Sequence, residues 1–187
     1  RHTMTSYYDF SVIEEVSTAA SVVIAAEYER GRLIVGAPPP AINLDKWSPS
    51  AFSKLYGMGF FEAVGLSSAR AERFTDRNGN VTMQILSGST GDQLEAAATA
   101  LERLLADTLQ PNQAQIDIEL EELLFWINTA VSEALTNVSN WAYENLSRKG
   151  PKRWWVAATL APLTKSLTVV VYDQGVTIPK SLDRRDW

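Results

Sequence analysis

An α/β fold is predicted for this 187-residue chain by three observations. They are an apolar stripe of helical period from Leu120 to Ala142, a strand candidate at 153–161, and a β-branched run at 168–171 that ends in Asp173-Gln174-Gly175. A long amphipathic helix followed by two strands is the pattern of a sheet with a helix laid across it. With 45% hydrophobic and 21% charged residues, the chain suffices for one large or two small domains with a substantial core.

From Tyr7 to Val35 apolar and polar residues alternate over short stretches. That predicts strands at Ser21–Ala26 and Arg32–Val35, joined by a hairpin turn at Glu29-Arg30-Gly31. Ala37-Pro38-Pro39-Pro40 is a stiff break, and Ala41 to Leu44 is a short strand candidate. Ser48 before Pro49 marks a helix start, because proline fits the first helical position, where the missing N–H has no partner anyway; the helix runs to about Gly57. Phe60-Phe61 reads as core packing. Asp76-Arg77-Asn78-Gly79-Asn80 is a turn and Val81–Leu86 alternates, so a hairpin is expected within 67–87.

Ser87-Gly88-Ser89-Thr90-Gly91 reads as a flexible linker with Asp92 as the next helix cap, since it lacks the Gly-Lys-Ser/Thr of a phosphate-binding loop. A helix from Leu94 to Leu109, a break at Pro111-Asn112-Gln113 and a long helix over 116–148 follow. Arg148-Lys149-Gly150-Pro151-Lys152-Arg153 reads as an exposed basic loop. Trp154-Trp155 sends one ring to each side of its strand, so a single-layer core takes one of them and the other covers a helix or forms a partner surface. The expected organisation is a small N-terminal α/β module over residues 1–90 and a second domain over 91–187.

Charge and composition exclude several function classes. The net charge of −5 and the acidic run Asp117, Glu119, Glu121, Glu122 argue against a nucleic-acid surface. No apolar run is long enough to span a bilayer and no signal peptide is evident, so a cytoplasmic protein without a membrane partner is expected. Cysteine is absent, and the only histidine, His2, stands in an Arg-His-Thr-Met start that reads as a vector remnant; thiolate chemistry and a multi-histidine metal site are therefore not encoded.

The functional signal lies in Ser132-Glu133-Ala134-Leu135-Thr136-Asn137 and Tyr172-Asp173-Gln174-Gly175-Val176-Thr177-Ile178-Pro179. At about 100° per residue, Glu133 and Asn137 lie about 40° apart and about 6 Å along one helix, at the edge of the apolar stripe. Asp173, delivered at the end of a strand, can accept a hydrogen bond from an exocyclic amine, and Gly175 lets a ligand approach the backbone. Together the segments resemble the histidine-kinase-like ATPase (GHKL) family, the Bergerat fold of sensor histidine kinases, anti-sigma-factor kinases, gyrase B and MutL. Its Glu-x-x-x-Asn helix binds the magnesium of ATP and its Asp-x-Gly-x-Gly strand end binds adenine. The nearest resemblance is to the anti-sigma-factor serine kinases; Trp141 stands where that subgroup has histidine, and Thr177 replaces the second glycine. Leu55–Leu66 also resembles the region joining a sulfate-transporter and anti-sigma-antagonist (STAS)-like domain to the ATPase in some bacterial proteins.

The resemblance implies a sandwich with helices on one face of a mixed sheet, and Mg·ATP between the 116–148 helix and the 167–175 strand end. In it, Asn137 is the Mg2+ ligand, Glu133 the catalytic base or water-orienting group, and Asp173, Gly175 and Thr177 contact the nucleotide. The implied protein is an ATP-binding regulatory ATPase or serine/threonine kinase with a regulatory protein partner. The competing reading is a non-catalytic interaction module with a degenerate nucleotide site. The sequence stops at Trp187 before any glycine-rich lid, which predicts that these 187 residues alone bind ATP and Mg2+ poorly.

Overall fold

The computed structural model describes residues 7–37, 40–65, 73–89, 91–109, 114–143 and 153–175. The elements are β1 (Tyr8–Asp9), α1 (Thr18–Val35), β2 (Ala41–Ile42), α2 (Pro49–Gly57), α3 (Phe60–Ala63), β3 (Arg73–Thr75), β4 (Val81–Met83), β5 (Leu86–Gly88), α4 (Gly91–Leu109), α5 (Ala114–Asn137), β6 (Trp154–Ala161) and β7 (Ser166–Asp173). An α/β architecture is thus present, with several elements close to their expected positions. These are α2, the β3–β4 hairpin turning at Asp76–Asn80, α4, and the β6–β7 pair.

The stretch expected to form two strands and a turn is instead α1, an eighteen-residue helix. Its N-cap Ser17 accepts from Ala20 N at 3.1 Å, and Gly36 closes it in a left-handed cap whose N–H reaches Arg32 O at 2.7 Å. Val22, Ala25, Ala26 and Glu29 are buried at helical spacing. Tertiary burial of that stripe overrides the local β preference of Val22, Val23 and Ile24.

β6 is the centre of the main sheet. β7 pairs along its whole length on one side, from Trp154↔Asp173 to Ala161↔Ser166. On the other side β4 pairs with its C-terminal half (Val81↔Leu160) and β5 with its N-terminal half (Leu86↔Val156). The register slips by one between them, so 81–88 behaves as a single strand with one extra residue near Gln84-Ile85, a β-bulge. The bulge reverses the facing of the side chains: Met83 and Leu86 join one core, Ile85 the other. Ser87-Gly88, expected in a linker, are therefore part of the sheet.

The pairings of the main sheet are antiparallel, rather than mixed as expected; a separate β1–β2 pair is parallel. Helices cover both faces instead of one. On one face α4 and α5 pack on Trp154, Val156, Ala158 and Leu160. On the other, α1, α2 and α3 pack on Trp155 and Ala157. Both tryptophans are 1% exposed, so neither is left to form a partner surface. The expected boundary at residue 90 falls within this continuous sheet, with β3–β5 before it and β6–β7 after it. Phe60 packs edge-on against Tyr28 and Phe10, as expected of a core residue.

Gly57 ties the N-terminal helices to the hairpin, because a Cβ there would run into the Phe74 side chain, including its Cβ and Cγ. Overpacking of this kind costs about 1–3 kcal/mol, against at most about 1 kcal/mol gained in helix propensity. Gly57→Ala is expected to destabilise by about 1–2 kcal/mol and to lower the melting temperature by about 2–8 °C, as followed by circular dichroism. An unchanged melting temperature would show that Phe74 can move aside without loss.

Candidate functional site

α5 buries Val131 and Leu135, and the π-helical turn Val138–Ala142 that follows adds Val138 and Ala142 to the same stripe. The sequence stripe extends round to Leu123 and Ala130, but both of these remain exposed. The covered sector is therefore narrower than its pattern suggests. In consequence Glu133 and Asn137 are exposed on the solvent side rather than set at the edge of the core. They meet each other, with Asn137 Nδ2 donating to Glu133 Oε1 at 3.1 Å. Asn137 thus spends its amide –NH2 on Glu133, and its carbonyl oxygen is an acceptor of the type that suits Mg2+.

Asp173 is the last residue of β7. It follows Leu167, Val169 and Val171 on the face of β7 that packs with α5, so strand alternation turns it toward the helix that carries Glu133 and Asn137. Its Oδ1 accepts the Gly175 N–H at 2.7 Å, which fixes the turn, and among the described residues its second oxygen has no hydrogen-bond partner. Gly175 sits so close to Ala142 that a Cβ would overlap the Ala142 backbone carbonyl. The Asp-x-Gly turn is thereby seated on the C-terminal end of the motif helix, five positions after Asn137. Thr177 lies outside the described residues, as does most of the basic loop.

Several residues to which the sequence pattern gave no role hold this arrangement. The Tyr143 hydroxyl accepts from Gln174 N at 3.0 Å and donates to the Arg153 carbonyl oxygen. Burial raises the Tyr143 pKa, against the two backbone hydrogen bonds that lower it, so it remains a neutral phenol able to donate. The Arg153 guanidinium pairs with Glu29, whose side chain is 6% exposed, and Gln174 Nε2 donates to Glu27 Oε1 at 3.0 Å. Glu27 and Glu29 both belong to α1, so a chain of polar contacts runs from α1 through the start of β6 and Tyr143 to the turn and back to α1. A tyrosine ending the motif segment was the one available sequence signal. Glu27 and Glu29 are hidden in sequence because their region reads as a hairpin turn between two strands rather than as one helix.

Among the described residues no group of three or more His, Cys, Asp or Glu side chains is arranged to hold a metal ion, and no helix is long and apolar enough to cross a membrane. No protein-family model matches the chain, and neither a curated protein nor a solved structure is similar to it.

Tyr143→Phe removes one hydroxyl and leaves the Gln174 N–H and the Arg153 carbonyl without their partner, a loss of about 1–3 kcal/mol. Amide exchange is expected to accelerate at Gln174 and Gly175 and to stay slow at Val169–Val171. Unaltered protection at Gln174 would mean that the hydroxyl does not hold the turn.

Proposed function

We propose that this chain is an ATP-binding regulatory protein of the histidine-kinase-like ATPase type, with Mg·ATP lying between α5 and the end of β7. The observation that carries the reading is the seating of Gly175 against Ala142, which joins the Asp-x-Gly turn to the helix of Glu133 and Asn137. Asn137 would ligate Mg2+ through its carbonyl oxygen, with waters and phosphate oxygens completing the shell, so no carboxylate cluster is required. Glu133, one turn away, would orient or deprotonate a water or a protein hydroxyl. Asp173 would accept from the adenine amine through the oxygen that the turn leaves open, and Gly175 and Thr177 would line the nucleotide.

Asp173→Asn isolates the adenine contact. The amide oxygen can still accept the Gly175 N–H, while its –NH2 replaces the second acceptor and meets a donor. Affinity of the full-length protein for Mg·ATP, measured by calorimetry, is expected to fall by about 1–3 kcal/mol, roughly 5- to 150-fold. Equal affinity in variant and parent would remove Asp173 from the site, and no binding by the parent would remove the nucleotide reading itself.

A second reading, an interaction module with a degenerate nucleotide site, is favoured by the outer face of α5. Phe125 and Trp126, 62% and 61% exposed, meet edge to face there, beside an exposed Leu123. Exposed aromatic residues of this kind suit a protein partner.

A further inference from the structure

A cavity of about 630 Å³ opens between α2 and the β3–β4 turn, on the sheet face covered by α1–α3. Its volume is that of a small-molecule site. At its floor Lys54 Nζ donates to Thr82 Oγ1 at 3.0 Å and lies 3.5 Å from Thr159 Oγ1. The threonines are themselves linked, Thr82 to Thr159 at 2.9 Å and Thr159 to Thr18 at 2.5 Å. Hydroxyl dipoles satisfy two of the three ammonium donors but supply no counter-charge. Among the described residues no carboxylate forms an ion pair with Lys54.

The acid on the cavity wall whose charge acts on Lys54, Asp76, is already engaged by its own turn. Its Oδ1 accepts from Asn78 N at 2.8 Å and Asn80 N at 2.9 Å, and its Oδ2 from Asn80 Nδ2 at 2.8 Å. Burial pulls the Lys54 ammonium below the ordinary lysine range, and the Asp76 charge offsets this only in part. A cation held in a roomy cavity without an ion-pair partner is suited to a ligand that brings the negative charge. The lining adds Arg77, Ser50 and Ser53. Exposed Glu15, also in the lining, disfavours a polyanion.

We infer that this cavity binds a small metabolite bearing a single carboxylate or phosphate group, with Lys54 as the charge anchor at its floor. The site is independent of the nucleotide reading. Thr159 and Trp154, the partner of Asp173, are five residues apart on β6, about 17 Å, and face opposite sides of the sheet.

The test is titration of the 187-residue chain with sodium phosphate and, separately, sodium propionate at constant ionic strength, read by calorimetry and thermal shift. Saturable binding of at least one probe is expected, with a rise in melting temperature that sodium chloride does not reproduce. Lys54→Met should abolish binding, and Ser53→Phe, at an exposed position on the cavity wall, should block it without touching the buried threonines. Asp173→Asn should leave it unchanged. The inference is overturned if neither probe binds, or if binding survives in either Lys54→Met or Ser53→Phe. The preferred probe distinguishes a carboxylate ligand from a phosphate.

Discussion

The two-sided burial of β6 governs the architecture. Trp154, Trp155, Val156, Ala157 and Ala158 are each no more than 2% exposed, so the strand has no water-facing side along this run. Antiparallel hairpins commonly leave one face in water, and a strand apolar on both faces requires a cover on each. α4 and α5 supply one cover and α1–α3 the other. Removing the second would expose Trp155 alone to the extent of about 200 Å², or about 5 kcal/mol at 25 cal/mol/Å², comparable with the whole stability of many domains. The N-terminal helices are thus an integral layer of the fold.

Polar contacts then fix that layer in register with the candidate site. The Glu27–Arg30 pair lies on the surface of α1 and contributes little, because solvent screens it. Glu29–Arg153 is different in kind: its carboxylate is buried, and loss of the arginine would leave it only the longer 3.9 Å contact with Arg32. The pair therefore pins the start of β6 to α1. Since Tyr143 reads the backbone of Arg153 and of Gln174 together, the same pin also sets the position of the Asp-x-Gly turn.

Local pattern revealed those parts of the molecule whose burial is one-sided or whose turns have their own chemistry. Ser48-Pro49 started α2, Asp76–Asn80 turned the β3–β4 hairpin, and the β-branched run ended at Asp173. α1 departs from the strand expectation because its β-branched residues imitate a strand over short windows; Ser17 and Gly36, which bracket the helix as caps, are the signals that decide it. The bulge at Gln84-Ile85 and the pairing of residues before 90 with β6 are long-range and leave no local trace. For the same reason Glu133 and Asn137 could be put on one helix face, but their exposure depends on how much of that helix the sheet covers. Lys54 gives no signal, since its threonine partners come from two distant strands, β4 and β6.

α1 is the element that the two candidate sites share. Thr18, at its first turn, bonds Thr159 beneath the Lys54 cavity, and Glu27, nine residues on, bonds Gln174 in the Asp-x-Gly turn. At 1.5 Å per residue these contacts are about 13.5 Å apart along one helix. A capped helix with a buried stripe moves as a body more readily than it bends, because bending breaks i→i−4 hydrogen bonds and a packed core resists continuous deformation. Displacement of the threonine cluster would therefore be delivered to Gln174 as a shift of the whole helix, opposed by the Glu29–Arg153 pair two residues beyond the Glu27 contact.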